Sequence, residues 1–569
     1  MYHRSHPSDT GRRRFRSRLV GAALAFTLVA AACGGDDDAE TAPDDPVVTT
    51  VADDPDAPDT TEAPDPDPDA DAPETTTAPE PEPEPEPADE PTAGGDLIVG
   101  TVFDAFGLEP ATFVGGVTDA HIALAIYDAI AMIQPDGSVE PWLAETIETD
   151  DFQTYDITLH EGVTFHDGTT LDAEAVKFNL ERHQDVDTNS RALPNARHIE
   201  SVTVTGDLSL EIVLAFPWAA FPELLAGSLG VIASPTAIEA GEINSTPVGS
   251  GPFVFESRIP QDNTVVVRND DYWRDDQPYL DSITFRVMLD DNVRQTSVEN
   301  GEIHAAQSIR ADTLVAADGI DGVFATRTPG RVNTIQINSR IAPFDDVRVR
   351  QALAYSLDYD ALNQVIFSNA ANPIHHWISS DSPFFDPDVE WYDYDPDRAS
   401  QLIAEYEADG GSAAFTFRCY TEPSRVQLTE LASQMWRATG FDVTTDMSDQ
   451  MSLVIDLFTF NYTVGCFSGG AETQDPDQLF YASLHSESGT NYGGYENAEM
   501  DAALDAGRTS ADENVRVDAY STVQQLLADE VPIIQYMSSP WGWVVRDEVG
   551  GFETLPGAEF VGGKVYFRD

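Results

Sequence analysis

Residues 415–443 read FTFRCYTEPSRVQLTELASQMWRATGFDV, and the hydrophobic period changes twice within them. Phe415, Phe417 and Cys419 alternate with Thr416, Arg418 and Tyr420, the period of a strand with two unlike faces. Leu428, Leu431, Ala432 and Met435 then recur at helical spacing, with Ser424 as the expected N-cap and Gly440 where the helix should stop. Phe441-Asp442-Val443 begins a second strand. A strand, a helix and a strand in that order predict a parallel sheet with a right-handed crossover, and so an α/β fold.

The same alternation extends outward. Residues 457–467, LFTFNYTVGCF, read as a third strand, and 344–367 and 496–528 as long helices. Thr154–Leu159, Ser201–Thr205, Leu210–Leu214, Thr264–Arg268 and Ser282–Val287 read as strands. In Phe165-His166-Asp167-Gly168-Thr169 the glycine supplies a turn, and Asp172 caps a helix that follows. His166 is therefore expected to be structural. No period of 20–50 residues is evident, which argues against a solenoid or propeller.

Composition narrows the function. The 569 residues hold 100 Asp plus Glu against 30 Lys plus Arg, a net charge of -70, so a nucleic-acid reader is excluded. With 41% hydrophobic residues the chain can still bury a sizeable core. His160-Glu161 lacks the second histidine of a zinc-protease helix, Gly249-Ser250-Gly251 lacks the spacing of a nucleophile elbow, and no phosphate-binding loop ends in Lys-Ser or Lys-Thr. No catalytic constellation, cofactor site or metal site is expected.

The amino-terminal part reads as an address and a spacer. Six arginines within residues 1–18 precede the apolar run Leu19–Ala32, too short to span a bilayer and of signal-peptide type. Arg12-Arg13-Arg14-Phe15 suits either twin-arginine export or a plain basic leader. Ala30-Ala31-Ala32-Cys33-Gly34 resembles a bacterial lipoprotein box, which implies lipidation at Cys33 and removal of residues before it. Residues 34–95 carry 22 acidic residues and no Lys or Arg, with runs such as PEPEPEPEP. Such a segment cannot offset the entropy of ordering, so it is expected to be a disordered tether reaching on the order of 190 Å at full extension.

Leu159–His183, LHEGVTFHDGTTLDAEAVKFNLERH, closely resembles the signature of the bacterial extracellular solute-binding proteins of family 5, which bind peptides, nickel and opines. PWLAE at 141–145, SPTAI at 234–238, VGSGPFVF at 248–255, RNDDYW at 268–273, PYLDSITFRV at 278–287 and NGEIHAA at 300–306 support it in order. So do FDDVRVRQALAYSLD at 344–358, DPD at 475–477 and NYGGYENAEMDAAL at 491–504. The resemblance implies a two-lobed periplasmic-binding-protein-like α/β fold with an enlarged lobe I and a ligand cleft between lobes. Lobe I would be 96–332 with 537–569, and lobe II 333–536, with crossings near Val332–Asn338 and Val531–Met537. It further implies a monomer, held at the cell membrane by its lipid, that closes on a small-molecule or peptide ligand and delivers it to an ABC permease driven by a separate ATPase. A nickel chelate, opine, saccharide or other small solute is the alternative within the family. A surface chaperone or ligand sensor is the alternative outside it.

In peptide-binding relatives a carboxylate three residues before an Asp-Pro pair holds the ligand's amino terminus; counting back from Asp475-Pro476 gives Glu472. Here that residue is Glu where Asp is usual, and the aromatic position three residues earlier is Gly469. Gly469-Gly470 would let backbone approach a ligand, and Trp377, beside His375-His376, is either core or cleft wall. Cys419 and Cys466 fall late in the first and third predicted strands of lobe II. A disulfide between them is expected outside the membrane, with two unpaired core thiols as the alternative.

Overall fold

The computed structural model describes residues 91–568 apart from 113–116, 375, 381 and 472–474, and these belong to one compact unit. The leader, Cys33 and residues 34–90 of the acidic tether lie outside the described residues, as does Glu472; the end of the expected tether is instead fixed to the body, Thr92 bridging Phe567 and Gly95 exchanging hydrogen bonds with Asp281.

An eleven-stranded mixed sheet organises the unit. Its order is Phe253–Ile259, Asn263–Arg268, Ser282–Val287, Asp96–Thr101, Ala305–Ser308, Ile533–Arg546, Val323–Ile337, Val464–Ala471, Ala414–Tyr420 and Asp442–Ser448, with Asn372–Pro373 paired to the side. The two long central strands serve both halves. Val323–Thr328 pairs with Trp541–Arg546, the register shifts between Thr328 and Arg331, and from Arg331 onward the strand lies between Ile533–Ser539 and Val464–Ala471. A core running from Ile335 to Met537 covers one half, and a second core built on Leu97, Val99, Phe285 and Trp543 covers the other.

Strand direction creates a meeting place. Asp96–Thr101 is parallel to Ser282–Val287 and Ala305–Ser308, and all three run the same way as Val323–Ile337. Ala414–Tyr420 is parallel to Asp442–Ser448 and Val464–Ala471, and these run the opposite way. The carboxyl ends of both sets therefore converge where the long strands change register, the place where open α/β sheets bind ligands.

A separate four-stranded antiparallel sheet, Ala144–Glu148, Thr154–Leu159, Ser209–Leu214 and Ile199–Gly206, carries its own core with the helix Ala173–Gln184. Asp172 caps that helix through Ala175 N at 2.9 Å, and Gly168 takes its turn at φ 78°. His166 Nε2 meets the Gly251 carbonyl at 3.0 Å, a structural contact. The motifs of residues 141–145, 248–255 and 268–273 come together on one buried carboxylate. Asp128 accepts from Trp142 Nε1 at 2.8 Å, Trp273 Nε1 at 3.0 Å, and Tyr272 Oη and Ser250 Oγ, both at 3.1 Å. Ser250 is thus a buried scaffold hydroxyl.

Four expectations about elements and their caps change. Residues 344–367 form two helices, Val347–Tyr355 and Tyr359–Phe367, because Asp358 caps the second through Ala361 N. Residues 496–528 divide likewise into Ala498–Thr509 and Glu513–Glu530, the second capped by Asp512. The stretch 457–467 begins as the end of the helix Gln450–Phe458, and its strand starts only at Val464. The cap of Pro423–Ala438 is Glu422 in place of Ser424, with Pro423 at the first helical position.

Candidate functional site

The converging strand ends carry Tyr420–Arg425, Ser468 and Asp475–Asp477 from one half and Arg310–Asp312 from the other. Arg425 sits in the first turn of Pro423–Ala438 and is 6% exposed. Its guanidinium donates to Tyr420 Oη and Tyr536 Oη at 3.1 Å each, to Asn333 Oδ1 at 2.9 Å and to Ser468 Oγ. All four acceptors are neutral. The exposed Glu422 acts on it electrostatically but spends its oxygens on Ser424 N and Oγ. Burial opposes the charge, yet Tyr536 and Tyr420 hold the pKa above its usual value, so Arg425 stays a cation. Buried charges are ordinarily paired, and among the described residues no carboxylate forms a hydrogen bond or ion pair with this guanidinium. The amphipathic pattern of this helix concealed Arg425; the sequence signal was a charged residue within the first turn of the helix.

Two further arginines are committed to carboxylates. Arg516 donates to both oxygens of Asp475 at 2.8 and 2.6 Å. Arg508 donates to both oxygens of Asp477 at 2.9 and 3.1 Å, and its guanidinium lies over Tyr481 at 3.4 Å and over Trp218 at 4.8 Å. Trp218 belongs to the core of the antiparallel-sheet unit, and its Nε1 donates to Asp477 Oδ2 at 2.9 Å. The DPD sequence therefore ties this unit to the helices of residues 498–530. Burial lifts the Asp475 carboxyl above the usual range against the pull of Arg516. Across the converging strand ends, Arg310 of one half feels Asp312 and Asp291 beside it and Glu422 of the other half.

Gly469 and Gly470 lie on the strand Val464–Ala471, next to Ser468. Trp377 is 7% exposed and packs edge-on to Trp391 and Phe480, with its Nε1 lacking an acceptor among the described residues. Cys419 and Cys466 are joined by a disulfide, their Cα atoms 5.2 Å apart, inside the core of that half. His376 stands against Phe385 at 4.8 Å. Among the described residues no group of three or more His, Cys, Asp or Glu is arranged to hold a metal ion, and no helix is long and apolar enough to cross a membrane.

Residues 138–491 match the family described as bacterial extracellular solute-binding proteins, family 5. The chain belongs to that family, whose members capture solute for ABC importers. Among relatives, the glutathione-binding protein GsiB of Pectobacterium atrosepticum is 26% identical over 452 residues, covering 77% of this chain and 88% of its own. Among solved structures, the oligopeptide-binding protein AppA of Bacillus subtilis in complex with a nonapeptide superposes with a TM-score of 0.73 at 22% identity, covering 84% of this chain and all of that one. The protein AgaA in complex with agropinic acid gives a TM-score of 0.73 at 24% identity, covering 84% and 99%. These likenesses establish the periplasmic-binding-protein fold.

Proposed function

We propose that this chain captures a peptide or peptide-like solute bearing a carboxylate and hands it to an ABC permease. The observation that carries this reading is Arg425, a buried cation whose hydrogen bonds among the described residues all go to neutral groups where the strand ends converge. The solute carboxylate supplies the missing counter-charge. Glu472, four residues beyond Ser468, is assigned to an ammonium or guanidinium group at the other end of the solute, and Gly469 and Gly470 allow backbone to approach it. Trp377 forms the wall beneath. Glutathione and peptides, the ligands named for the relatives GsiB and AppA, carry both kinds of charge, which supports the choice.

In this reading lobe I is 96–332 with 537–569 and lobe II is 333–536. The change of pairing between Thr328 and Arg331 supports a crossing within the two long strands. Contacts that exist only when both lobes meet the solute shift a hinge equilibrium toward closure, and no covalent step is required. Acylated Cys33 holds the monomer at the membrane and residues 34–90 give it reach.

A thermal-shift screen of di- to pentapeptides tests this, each offered with a free and an amidated carboxyl terminus. A binder at a hundredfold excess over its Kd should add about 2.7 kcal/mol of stability, and its amide should lose most of that. Equal effects from acid and amide would overturn the carboxylate assignment.

A further inference from the structure

Arg425 rides on one group of strands, while most of its acceptors stand on another. Its helix, Pro423–Ala438, packs on Ala414–Tyr420 through Trp436, whose ring lies 5.0 Å from that of Phe417. Ala414–Tyr420 in turn pairs along its whole length with Asp442–Ser448. Asn333, Ser468 and Tyr536, which accept from the guanidinium, stand on Val323–Ile337, Val464–Ala471 and Ile533–Arg546, and Asn333 faces Ser468 in register. The two groups meet along a short seam. Among the described residues the ladder between Ala414–Tyr420 and Val464–Ala471 has two pairs, Phe417 with Val464 and Arg418 with Gly465. At one end Thr463 extends it, its Oγ1 accepting from Thr416 N at 3.0 Å and donating to the Thr416 carbonyl at 2.6 Å. At the other end the next pair is Cys419 with Cys466, joined by the disulfide. Beyond that bond the ladder does not continue, and Arg425 spans the fork. It donates to Tyr420, one residue past Cys419, and to Ser468, two residues past Cys466.

We infer that the Cys419–Cys466 disulfide positions Arg425 for the solute, by locking the helix that bears the guanidinium against the strands that bear Asn333 and Ser468. The inference rests on the reading of Arg425 given above and adds what sets its geometry. A ladder opens first at its ends, and a covalent link at the last pair removes that freedom where the site begins. Recognition of a carboxylate by a guanidinium depends on the direction of its N–H groups, so the side chain must be held by its own neighbours before the solute arrives. Without the bridge Tyr420 moves with Arg425, since both belong to the same group, and the contacts to Asn333 and Ser468 are the ones lost. Both cysteines are fully buried, so the bond acts as a fixed clamp.

The bridge is removed for the test by Cys419→Ser with Cys466→Ser, and separately by Cys419→Val with Cys466→Ala, an apolar pair that leaves no hydroxyl in the core should the first not fold. Each full-length protein is treated with phenylglyoxal, which derivatises accessible guanidiniums, and modification of Arg425, Arg508 and Arg294 is read by peptide mass spectrometry. None of the three is more than 6% exposed; Arg508 lies in the same half as Arg425 and Arg294 in the other. Arg425 should react several-fold faster without the bridge, with Arg508 and Arg294 unchanged. Arg425 as slow as in the wild type would overturn the inference. An equal rise at all three would overturn it too, because it marks a bond that only stabilises the body. Native mass spectrometry of the same proteins from their own cells reads the consequence for capture: occupancy by co-purified solute should fall about as far as in Arg425→Gln. Wild-type occupancy in the bridge variants beside a depleted Arg425→Gln would refute the positioning role alone. Wild-type occupancy in Arg425→Gln as well would refute the carboxylate reading beneath it.

Discussion

Trp218 Nε1 donates to Asp477 Oδ2 at 2.9 Å, joining two residues 259 positions apart in the chain and both almost wholly buried. The bond anchors the antiparallel-sheet unit on the aspartate that Arg508 already holds, so one carboxylate serves a cation, an indole and two packing surfaces.

Trp218→Phe keeps an aromatic ring but removes the donor and some of the buried volume. A hydrogen bond to a charged group contributes about 1.5–3 kcal/mol, so the unfolding free energy from guanidinium titration should fall by at least that amount. Arg508→Met leaves Asp477 charged and buried and should cost more, on the order of 3–5 kcal/mol. Equal losses in the two variants would show the ion pair to be no stronger than the indole contact.

The disulfide between Cys419 and Cys466 closes a stretch with a sequence separation of 47. Replacing both by Ser should lower stability by roughly 4 kcal/mol in the chain-entropy model. Non-reducing peptide mapping checks the bond itself: one linked peptide containing both residues is expected, and free alkylation of both would exclude it.

Much of the fold could be read along the chain, because strands with one buried face announce themselves by period. Thr154–Leu159 and Ser282–Val287 appear with the limits expected of them. Breaks inside helical stretches were hidden, since the apolar period runs on through Ser356-Leu357-Asp358 and only the Asp358 cap turns the chain. The site was less legible for a different reason. Arg425 looks like one more polar residue on a helix; its burial comes from Asn333, Ser468 and Tyr536, as much as 111 residues away, which local pattern does not encode. The partnership of Trp218 with Asp477 has the same origin.

His121 is buried against Trp543 and Phe560, and burial pushes its pKa down to about 3. Unfolded, it would titrate near 6.5, so the unfolded chain binds the extra proton first. Stability contributed by the neutral ring is present above about 6.5 and is lost as pH falls toward 3, at up to about 1.4 kcal/mol per unit. Urea unfolding of His121→Gln between pH 7 and 4 should show a shallower decline than the wild type; parallel declines would assign the acid lability elsewhere.

Cys33→Ser should release the protein from the membrane fraction, since one leader cysteine carries the proposed anchor. Partition into detergent unchanged from the wild type would rule the anchor out.

The central claim, capture of a carboxylate-bearing solute at Arg425, is tested most directly by native mass spectrometry of the protein isolated from its own cells, wild type beside Arg425→Gln. Glutamine can still donate to Asn333 or Tyr536 but brings no charge. The wild type should carry a bound mass that fragments as a peptide or peptide-like acid, with occupancy at least tenfold lower in Arg425→Gln. The same solute at the same occupancy in both proteins would contradict the account.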